Sequence, residues 1–398
     1  MQWVLIAISV FLASSILAGI IIPQILLISF RKKLFDEPDE RKIHKGAVPR
    51  LGGLAFMPSI VFSLCFVWGL LLLAGESWLT SFHVSQMLAS PDTEGLVKPL
   101  CFGLCALMMM YLVGIADDLI GVKYRAKFCA QILAALMLAA AGVRIDSLNG
   151  MLGIYELPAI ISWVLTVFLV VFITNAINLI DGIDGLASGL SGIAMIFYGF
   201  FFLASSQWVY SMISFATLGT LVPFFYYNVF GDPARGKKIF MGDTGSLTTG
   251  LVLSFLALQL TGINNGGVFA ADVLVIAFAP LAIPCLDVIR VFVHRVIRGN
   301  SPFLPDRVHI HHKLLALGFP QRPAMITILA MSAGVIGLDL LISPAVSTFV
   351  IVLIDLAAWI VGNYFLTKAI RARQVREGIT HGYDCPPYFP SSDLPIFR

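Results

Sequence analysis

Apolar segments of about 20 residues follow one another along almost the whole 398-residue chain, separated by short polar stretches. An α-helix needs about 20 apolar residues to cross a bilayer, and the alternation typical of barrel strands is absent. The pattern therefore predicts an all-α polytopic integral membrane protein. Its eleven predicted transmembrane helices lie at residues 3–29, 52–74, 96–116, 128–142, 158–178, 186–204, 210–229, 247–262, 271–293, 323–342 and 345–367.

The composition agrees with this class. Hydrophobic residues make up 58% of the chain and charged residues 12%, whereas soluble domains carry about 25% charged residues. A soluble globular protein is excluded, because too little polar surface remains to cover its core. The six cysteines form no CxxC pair, so neither a disulfide framework nor a zinc site is expected. No pattern typical of nucleic-acid binding is present.

The basic residues fall almost entirely on one side of the predicted spans. If the first span ends in the cytoplasm, 24 of the 26 Lys and Arg face that side, and only Lys98 and Arg144 face the other. This bias predicts an N-terminus outside and a C-terminus in the cytoplasm. We expect a single transmembrane catalytic domain at 1–370 and a Pro-rich, disordered cytoplasmic tail at 371–398. The predicted active-site loops are 30–51, 117–127, 178–186, 230–246 and 294–322.

Acidic and amide side chains collect where these spans meet the cytoplasm. Asp117 and Asp118 end the third span, and Asp243 lies in a turn between two glycines. Asn175, Asn178, Asp181 and Asp184 recur at intervals of three, which places them along one face of a helix. Solvated helix ends, caps and turns are the structural alternatives for these motifs. Together, their carboxylate and amide oxygens favour Mg²⁺, or Mn²⁺, over zinc.

Basic residues and histidines share the same face. His309, His311 and His312 lie in the last inner loop beside Arg307, and Lys45 belongs to the first basic loop. Topology alone accounts for basic residues in such loops. Next to the carboxylates, however, they predict a site for phosphate groups. The combination predicts Mg²⁺-assisted phosphoryl transfer from a cytosolic nucleotide at the membrane surface, where one substrate is a lipid.

Several motifs together resemble the polyprenyl-phosphate N-acetylhexosamine-1-phosphate transferase superfamily. They are an Asp pair with Lys127 nine residues after Asp118, NAINLIDGIDGLASG at 175–189, FMGDTGS at 240–246 and DRVHIHH at 306–312. Within it, the chain resembles the bacterial undecaprenyl-phosphate N-acetylglucosamine-1-phosphate transferase branch, which initiates O-antigen, enterobacterial common antigen and wall teichoic acid synthesis. The peptidoglycan branch has three consecutive His followed by an acidic residue. Here Ile310 interrupts the run and Lys313 follows it.

The resemblance implies transfer of N-acetylglucosamine 1-phosphate from UDP-N-acetylglucosamine to undecaprenyl phosphate, with release of UMP. It implies a bacterial cytoplasmic membrane protein, with a homodimer as one arrangement. By similarity, Asp243 and Asn178 hold Mg²⁺, and Asp117 or Asp118 acts on the lipid phosphate. The histidines at 309, 311 and 312 close over the sugar phosphate. The implied substrate contacts are Lys45, Lys127, Asp181, Asp184, Phe240 (on uracil) and Arg307.

Three alternatives stay open at this point. The sugar nucleotide could be another UDP-N-acetylhexosamine. The lipid phosphate could attack the β-phosphorus directly, or the reaction could pass through a covalent aspartyl intermediate. A secondary transporter is the rival from another class, because Asp287, Arg290 and Asp355 lie within or near predicted spans. The spacing of Asp287 and Arg290 also fits a simple structural pair.

Overall fold

The computed structural model describes residues 2–34, 48–73, 93–263, 272–299, 301 and 308–377. Within these ranges the chain is helical and contains no β-strand. The helices are α1 Gln2–Lys32, α2 Phe56–Leu73, α3 Thr93–Ile120, α4 Tyr124–Ala140, α5 Ala159–Ile180, α6 Leu186–Ala204, α7 Trp208–Val229, α8 Gly242–Thr261, α9 Val273–Phe278, α10 Ala282–Ile297, α11 Ile310–Ala316, α12 Gln321–Ile342 and α13 Thr348–Glu377. This architecture confirms the predicted all-α polytopic class.

Ten stretches of the described chain are long and apolar enough to cross a membrane. The eleventh predicted span corresponds to α4, which has only 17 residues and is about 25 Å long at 1.5 Å per residue. Its two ends nevertheless lie at opposite ends of the bundle. Lys127 near its start contacts the end of α3, whereas the loop after it bonds to the start of α5 through Ile145 and Thr166. The helix thus makes the crossing that the charge pattern requires.

The α8 helix occupies the centre of the bundle, packed between α3 and α5 and against α6. Of the most apolar 18-residue stretch of this helix, 89% is buried inside the protein. Small residues allow the close approach of neighbouring backbones: a Cβ at Gly250 would lie 2.8 Å from Cα of Thr174 in α5. Hydroxyl groups along α8 bond back to its own carbonyls, as Ser254 does to Gly250.

The last predicted spans differ from the structure in detail. The span predicted at 271–293 is α9 and α10 in succession, joined by the 3₁₀ turn Ala279–Leu281, where Pro280 cannot supply the helical N–H. The final helix continues through Glu377, past the expected domain boundary at 370. The tail from 378 lies outside the described residues, so its predicted disorder stays a prediction.

The start of α1 and the end of α13 lie on opposite sides of the bundle. Trp3 at the start of α1 stacks on Trp208 at the start of α7, with ring centroids 4.7 Å apart. The opposite end of α7 carries Asn228, which bonds to Gly185 just before α6. The end of α13 packs on that same side, where Arg373 reaches the carbonyl of Ala316. This arrangement agrees with an odd number of crossings.

Candidate active site

A lysine joins two carboxylates where three helix ends meet. Lys127 Nζ lies 3.0 Å from Asp117 Oδ2 and 2.6 Å from Asp243 Oδ2. Asp117 also accepts a hydrogen bond from the backbone N–H of Val122, which closes the turn between α3 and α4. All three charged side chains are partly accessible to solvent. The site is therefore open on one side, and its like charges are held together by a single ammonium group.

The neighbouring carboxylate, Asp118, has a different position. Its oxygens accept hydrogen bonds from the backbone N–H groups of Asp243 and Thr244, at 2.8 and 2.9 Å, and from the Thr244 hydroxyl at 2.6 Å. These N–H groups belong to the first turn of α8, whose own N-cap position provides no side-chain bond. Asp118 thus caps α8 from another helix and neutralises its positive end. Asp117 is the member of the pair that remains available to a ligand.

Backbone contacts explain the glycines of the FMGDTGS motif. The segment before α2 pairs with this turn: Gly52 N–H donates to the Phe240 carbonyl and Gly53 N–H to the Met241 carbonyl, both at 2.9 Å. A Cβ on Gly53 would overlap the backbone of Gly245. Gly242 has φ +69°, which favours glycine, and a Cβ there would also overlap Asp118. These contacts fix the start of α8 against the start of α2.

The loop between α5 and α6 is fastened to the segment that precedes α8. Asp184 forms a buried ion pair with Lys238, with 2.5 Å between Oδ2 and Nζ. The side chain of Asn228 bridges the same two segments, since it accepts from Gly185 N–H at 2.6 Å and donates to the Ile239 carbonyl at 2.8 Å. Asp184 therefore supports the loop. Lys238 and Asn228 were not singled out from the sequence, although Lys238 lies directly beside FMGDTGS.

Asp181 is the first residue of this loop, directly after α5. It is accessible to solvent, yet protein atoms surround the carboxyl on its other sides. This burial, together with the negative charges of Asp184 and Asp243, raises the pKa of Asp181 to about 7, and the positive charge of Arg50 opposes the shift. Burial is the largest cause of this shift, and the surrounding carboxylates add to it. Such a site favours a positively charged ligand.

Asn178 orients the Asp243 carboxylate. Its amide nitrogen donates to Asp243 Oδ1 at 3.1 Å and to the Ser246 hydroxyl at 2.8 Å. In this orientation the amide oxygen points away from Asp243. Asn175, one turn earlier, is occupied by reciprocal bonds with Gln131 on α4. The predicted row of four oxygen donors is therefore divided, and only Asn178 and Asp181 belong to the open site.

The carboxylates fit a hard divalent cation. No group of three or more His, Cys, Asp or Glu among the described residues forms a metal-holding cluster by itself. Mg²⁺ in phosphoryl-transfer sites, however, is usually bound by one or two carboxylates together with substrate phosphates and water. Asp243 and Asp181 are carboxylates of this kind, and both are accessible to solvent.

Two of the predicted histidines lie close to this site. The His311 ring is buried, with 1% exposed, and neither ring nitrogen has a hydrogen-bond partner. The ring fills the space over Gly182, where a Cβ would overlap it. Burial and the neighbouring His312 and His309 lower the pKa of His311 well below its usual value, so the ring is neutral. His312 packs beside it, with centroids 4.2 Å apart.

His309 is bound to a residue in the interior of the bundle. Its Nδ1 lies 2.8 Å from Oδ2 of the buried Asp287 on α10. Asp287 also pairs with Arg290 at 2.9 Å, which confirms the structural pair expected from their spacing. Lys313 turns away from the site and donates to Asn363 and Thr367 of α13.

Three further predicted substrate contacts have other outcomes. Lys45 and Arg307 lie outside the described residues, so their roles stay predictions. Phe240 is partly exposed beside the carboxylates, and its backbone N–H donates to the Pro49 carbonyl at 2.9 Å. Its predicted contact with uracil is likewise not tested by the structure.

Comparison with known proteins identifies the family of this chain. The family model described as glycosyl transferase family 4 matches residues 100–261, a range that includes Asp117 and Asp243. The undecaprenyl-phosphate α-N-acetylglucosaminyl 1-phosphate transferase of Yersinia pestis is 31% identical over 85% of this chain and 85% of that protein. The corresponding protein of Salmonella typhi is 30% identical over 84% of each chain. A probable undecaprenyl-phosphate N-acetylglucosaminyl 1-phosphate transferase of Bacillus subtilis is 28% identical over 80% of each.

The helical bundle and its charged, open site define a multi-pass membrane enzyme of the sugar-1-phosphate transferase type. The chain belongs to the family of polyprenyl-phosphate N-acetylhexosamine-1-phosphate transferases. This membership confirms the resemblance that the four sequence motifs indicated.

Proposed function

We propose that this protein transfers N-acetylglucosamine 1-phosphate from UDP-N-acetylglucosamine to undecaprenyl phosphate and releases UMP. The observation that carries the proposal is the link from Asp117 through Lys127 to Asp243, because it gathers two carboxylates and an ammonium at one opening of a membrane bundle. Phosphoryl transfer needs this kind of charged, pre-organised site. The names and coverage of the similar transferases support both the donor and the lipid acceptor.

Asp117 is our candidate for the residue that orients or deprotonates the lipid phosphate. It projects from the end of a membrane helix, where the headgroup of a lipid lies, and its partner Asp118 is occupied at the start of α8. Lys127 can move from Asp117 to a phosphate oxygen when the acceptor binds. The lipid phosphate oxygen then attacks the β-phosphorus of the donor directly. Its positioning and the neutralisation of its charge account for much of the rate.

Asp243 and Asp181 are our candidates for holding Mg²⁺ on the donor pyrophosphate, and Asn178 keeps the Asp243 carboxylate in orientation. When bound, the cation supplies positive charge to the leaving UMP. Residues 309–312, called the histidine loop below, lie over the loop between α5 and α6. The neutral His311 ring packs on Gly182, and His309 and His312 flank it.

The site faces the cytoplasm in this proposal, and the protein lies in the bacterial cytoplasmic membrane. The distribution of basic residues supports this orientation, because the face that carries Asp117, Asp243 and the end of α13 is the basic one. A cytosolic sugar nucleotide requires the same orientation.

A radiolabel-transfer assay tests the proposal. Purified protein in detergent is given undecaprenyl phosphate and UDP-[¹⁴C]N-acetylglucosamine, with Mg²⁺ or with EDTA. We expect a labelled lipid and an equal amount of UMP with Mg²⁺, and neither with EDTA. Labelled lipid in the presence of EDTA would contradict the metal assignment.

The sugar assignment is tested in the same assay. UDP-N-acetylgalactosamine and UDP-glucose are added as competitors and then as donors. If one of these two donors supports faster transfer, its sugar takes the place of N-acetylglucosamine in the proposal. If none of the three sugar nucleotides supports transfer, the proposed reaction is rejected. Asp243→Asn serves as the inactive reference, because loss of its charge removes the proposed cation ligand.

A further inference from the structure

A fully buried carboxylate lies directly beneath the histidine loop. Asp287 on α10 has 0% of its surface exposed and accepts three hydrogen bonds. Its Oδ1 receives the backbone N–H of Ile310 at 3.0 Å and the Arg290 guanidinium at 2.9 Å. Its Oδ2 lies 2.8 Å from His309 Nδ1. Arg290 also donates to the carbonyl of Val308. The pair therefore fastens residues 308–310 to the bundle.

The Asp287 contact determines which nitrogen of His309 carries a proton. An ionised carboxylate can only accept, and Arg290 supplies the positive charge that allows a buried carboxylate to stay ionised. Nδ1 of His309 must therefore be the donor, and Nε2 is the nitrogen left for a ligand. The ring is nearly parallel to that of His311, with an angle of 9° between the planes and centroids 5.7 Å apart.

We propose that Asp287 is a positioning residue for the transfer reaction: it holds His309 with Nδ1 protonated and Nε2 free to bind a phosphate oxygen of the substrate. The choice of ligand rests on the proposed function, whereas the ring orientation does not. When Nε2 also carries a proton, the imidazolium donates to the phosphate and Asp287 balances its charge. Within the described part of the chain, the charged or titratable groups that face this ring are Asp287, Arg290 and His311.

A purely structural role for Asp287 makes a different prediction for one substitution. In Asp287→Asn, the remaining oxygen can still accept from Ile310 and Arg290, so the loop stays fastened. The new amide NH₂, however, would donate toward Nδ1 of His309. That reverses the tautomer and moves the ring proton to Nε2, the effect known when a histidine's carboxylate partner is replaced by an amide. Asp287→Ala removes the fastening as well and serves for comparison.

Two measurements test the proposal. The first is ¹⁵N NMR of histidine-labelled protein in detergent, with the His309 signals assigned from His309→Gln. We expect a proton on Nδ1 in the wild-type protein and on Nε2 in Asp287→Asn. The second is steady-state transfer. We expect Asp287→Asn to lower kcat by at least tenfold in a protein that still folds, and to have no further effect in the His309→Gln background, because both changes act through one group.

Asp272→Asn is the matched control. Asp272 caps α9 at the far end of the same crossing segment, and Asn caps a helix equally well, so we expect normal turnover and an unchanged His309 tautomer. An unprotonated Nδ1 in the wild-type protein would overturn the proposal. The proposal would also be overturned if Asp287→Asn lowered kcat as strongly in the His309→Gln background as in the wild-type protein. If the wild-type protein transfers no sugar phosphate, the proposed function fails, and the NMR result still decides the positioning role.

Discussion

Lys127 and Asp243 are separated by 116 residues in the chain and meet at 2.6 Å. The same ammonium holds Asp117, so one lysine at the start of α4 keeps two carboxylates from repelling each other. Lys127→Met removes this charge while keeping the length of the side chain. We expect it to lower the transfer rate by about 100-fold, the typical cost of losing one electrostatic contact in an active site.

The control for this lysine is its neighbour Lys123, which is exposed at the beginning of the same helix. Lys123→Met should retain normal turnover in the radiolabel assay. Equal losses in the two variants would mean that general surface charge matters, and not the link between Asp117 and Asp243.

Asp117 and Asp118 should differ when each is replaced by Asn. Asp117→Asn is expected to lower kcat by about 100-fold with little change in melting temperature, because its contacts are to an open site. Asp118→Asn should lower both, since an amide nitrogen cannot accept the hydrogen bonds that one of the Asp118 oxygens accepts at the start of α8, at a cost of about 1–3 kcal/mol. Turnover and thermal melting in detergent separate the two effects. A larger melting shift for Asp117→Asn would contradict this division of roles.

The raised pKa of Asp181 predicts a pH-dependent stability. An unfolded aspartate loses its proton near pH 4, whereas folded Asp181 keeps its proton until about pH 7. As pH rises through this interval, the folded state binds more protons than the unfolded state, so stability falls, and the full cost is present above pH 7. Asp181→Asn should therefore melt at a higher temperature than the wild-type protein at pH 8, with a smaller difference at pH 5.

Those melting curves are measured in EDTA, and adding Mg²⁺ then provides a second comparison. The cation should stabilise the wild-type protein at pH 8 more than it stabilises Asp181→Asn. An equal gain in the two proteins would place the cation away from Asp181.

A substitution at Gly182 tests the contact between the loop that joins α5 to α6 and the histidine loop. A Cβ at this position would overlap the His311 ring, so Gly182→Ala should displace the histidine loop and lower turnover by about tenfold or more. Gly69→Ala is the control, because nothing lies within 4 Å of the added atom. Normal turnover in Gly182→Ala would show that His311 is not needed at its observed position.

The carboxyl pair formed by Asp339 and Asp355 lies away from the active site. The two carboxyl groups lie close enough to interact. Asp339 is near the end of α12 that lies opposite to Arg322, and Arg322 contacts the active-site end of α7. Asp355→Asn should therefore leave transfer unchanged. Loss of turnover in a folded Asp355→Asn protein would instead favour a pathway through the membrane, as in a transporter.

The sequence predicted the helical class and most of the crossings because apolar length is a local property of the chain. It also predicted that Asp117, Asp181 and Asp243 would converge, since each follows or precedes a span on the basic side. Whether α4 crosses was harder to predict, because its 17 residues are short for a span. Its contacts at both ends show that it runs from one end of the bundle to the other.

The roles of adjacent acidic residues could not be read from the sequence. Asp117 and Asp118 are neighbours with the same chemistry, and only the position of α8, 125 residues away from Asp118 at Asp243, distinguishes a cap from an open carboxylate. Asp184 likewise belongs to a regular row of polar residues, but its partner Lys238 comes from another loop. Such assignments depend on tertiary contacts that spacing does not encode.

The enclosed position of α8 has a consequence for how the protein is made. Its most apolar 18-residue stretch has a mean hydropathy of only 1.3, against 2.7 for α1. Its Thr, Ser and Gly residues make insertion of this helix alone into lipid less favourable. Insertion of this segment during synthesis should therefore depend on α3 and α5, which leave the ribosome earlier and provide its surroundings. Mutations that loosen those two helices should leave the nascent chain with the wrong number of crossings, and quality-control proteases would then remove it before any enzyme is formed.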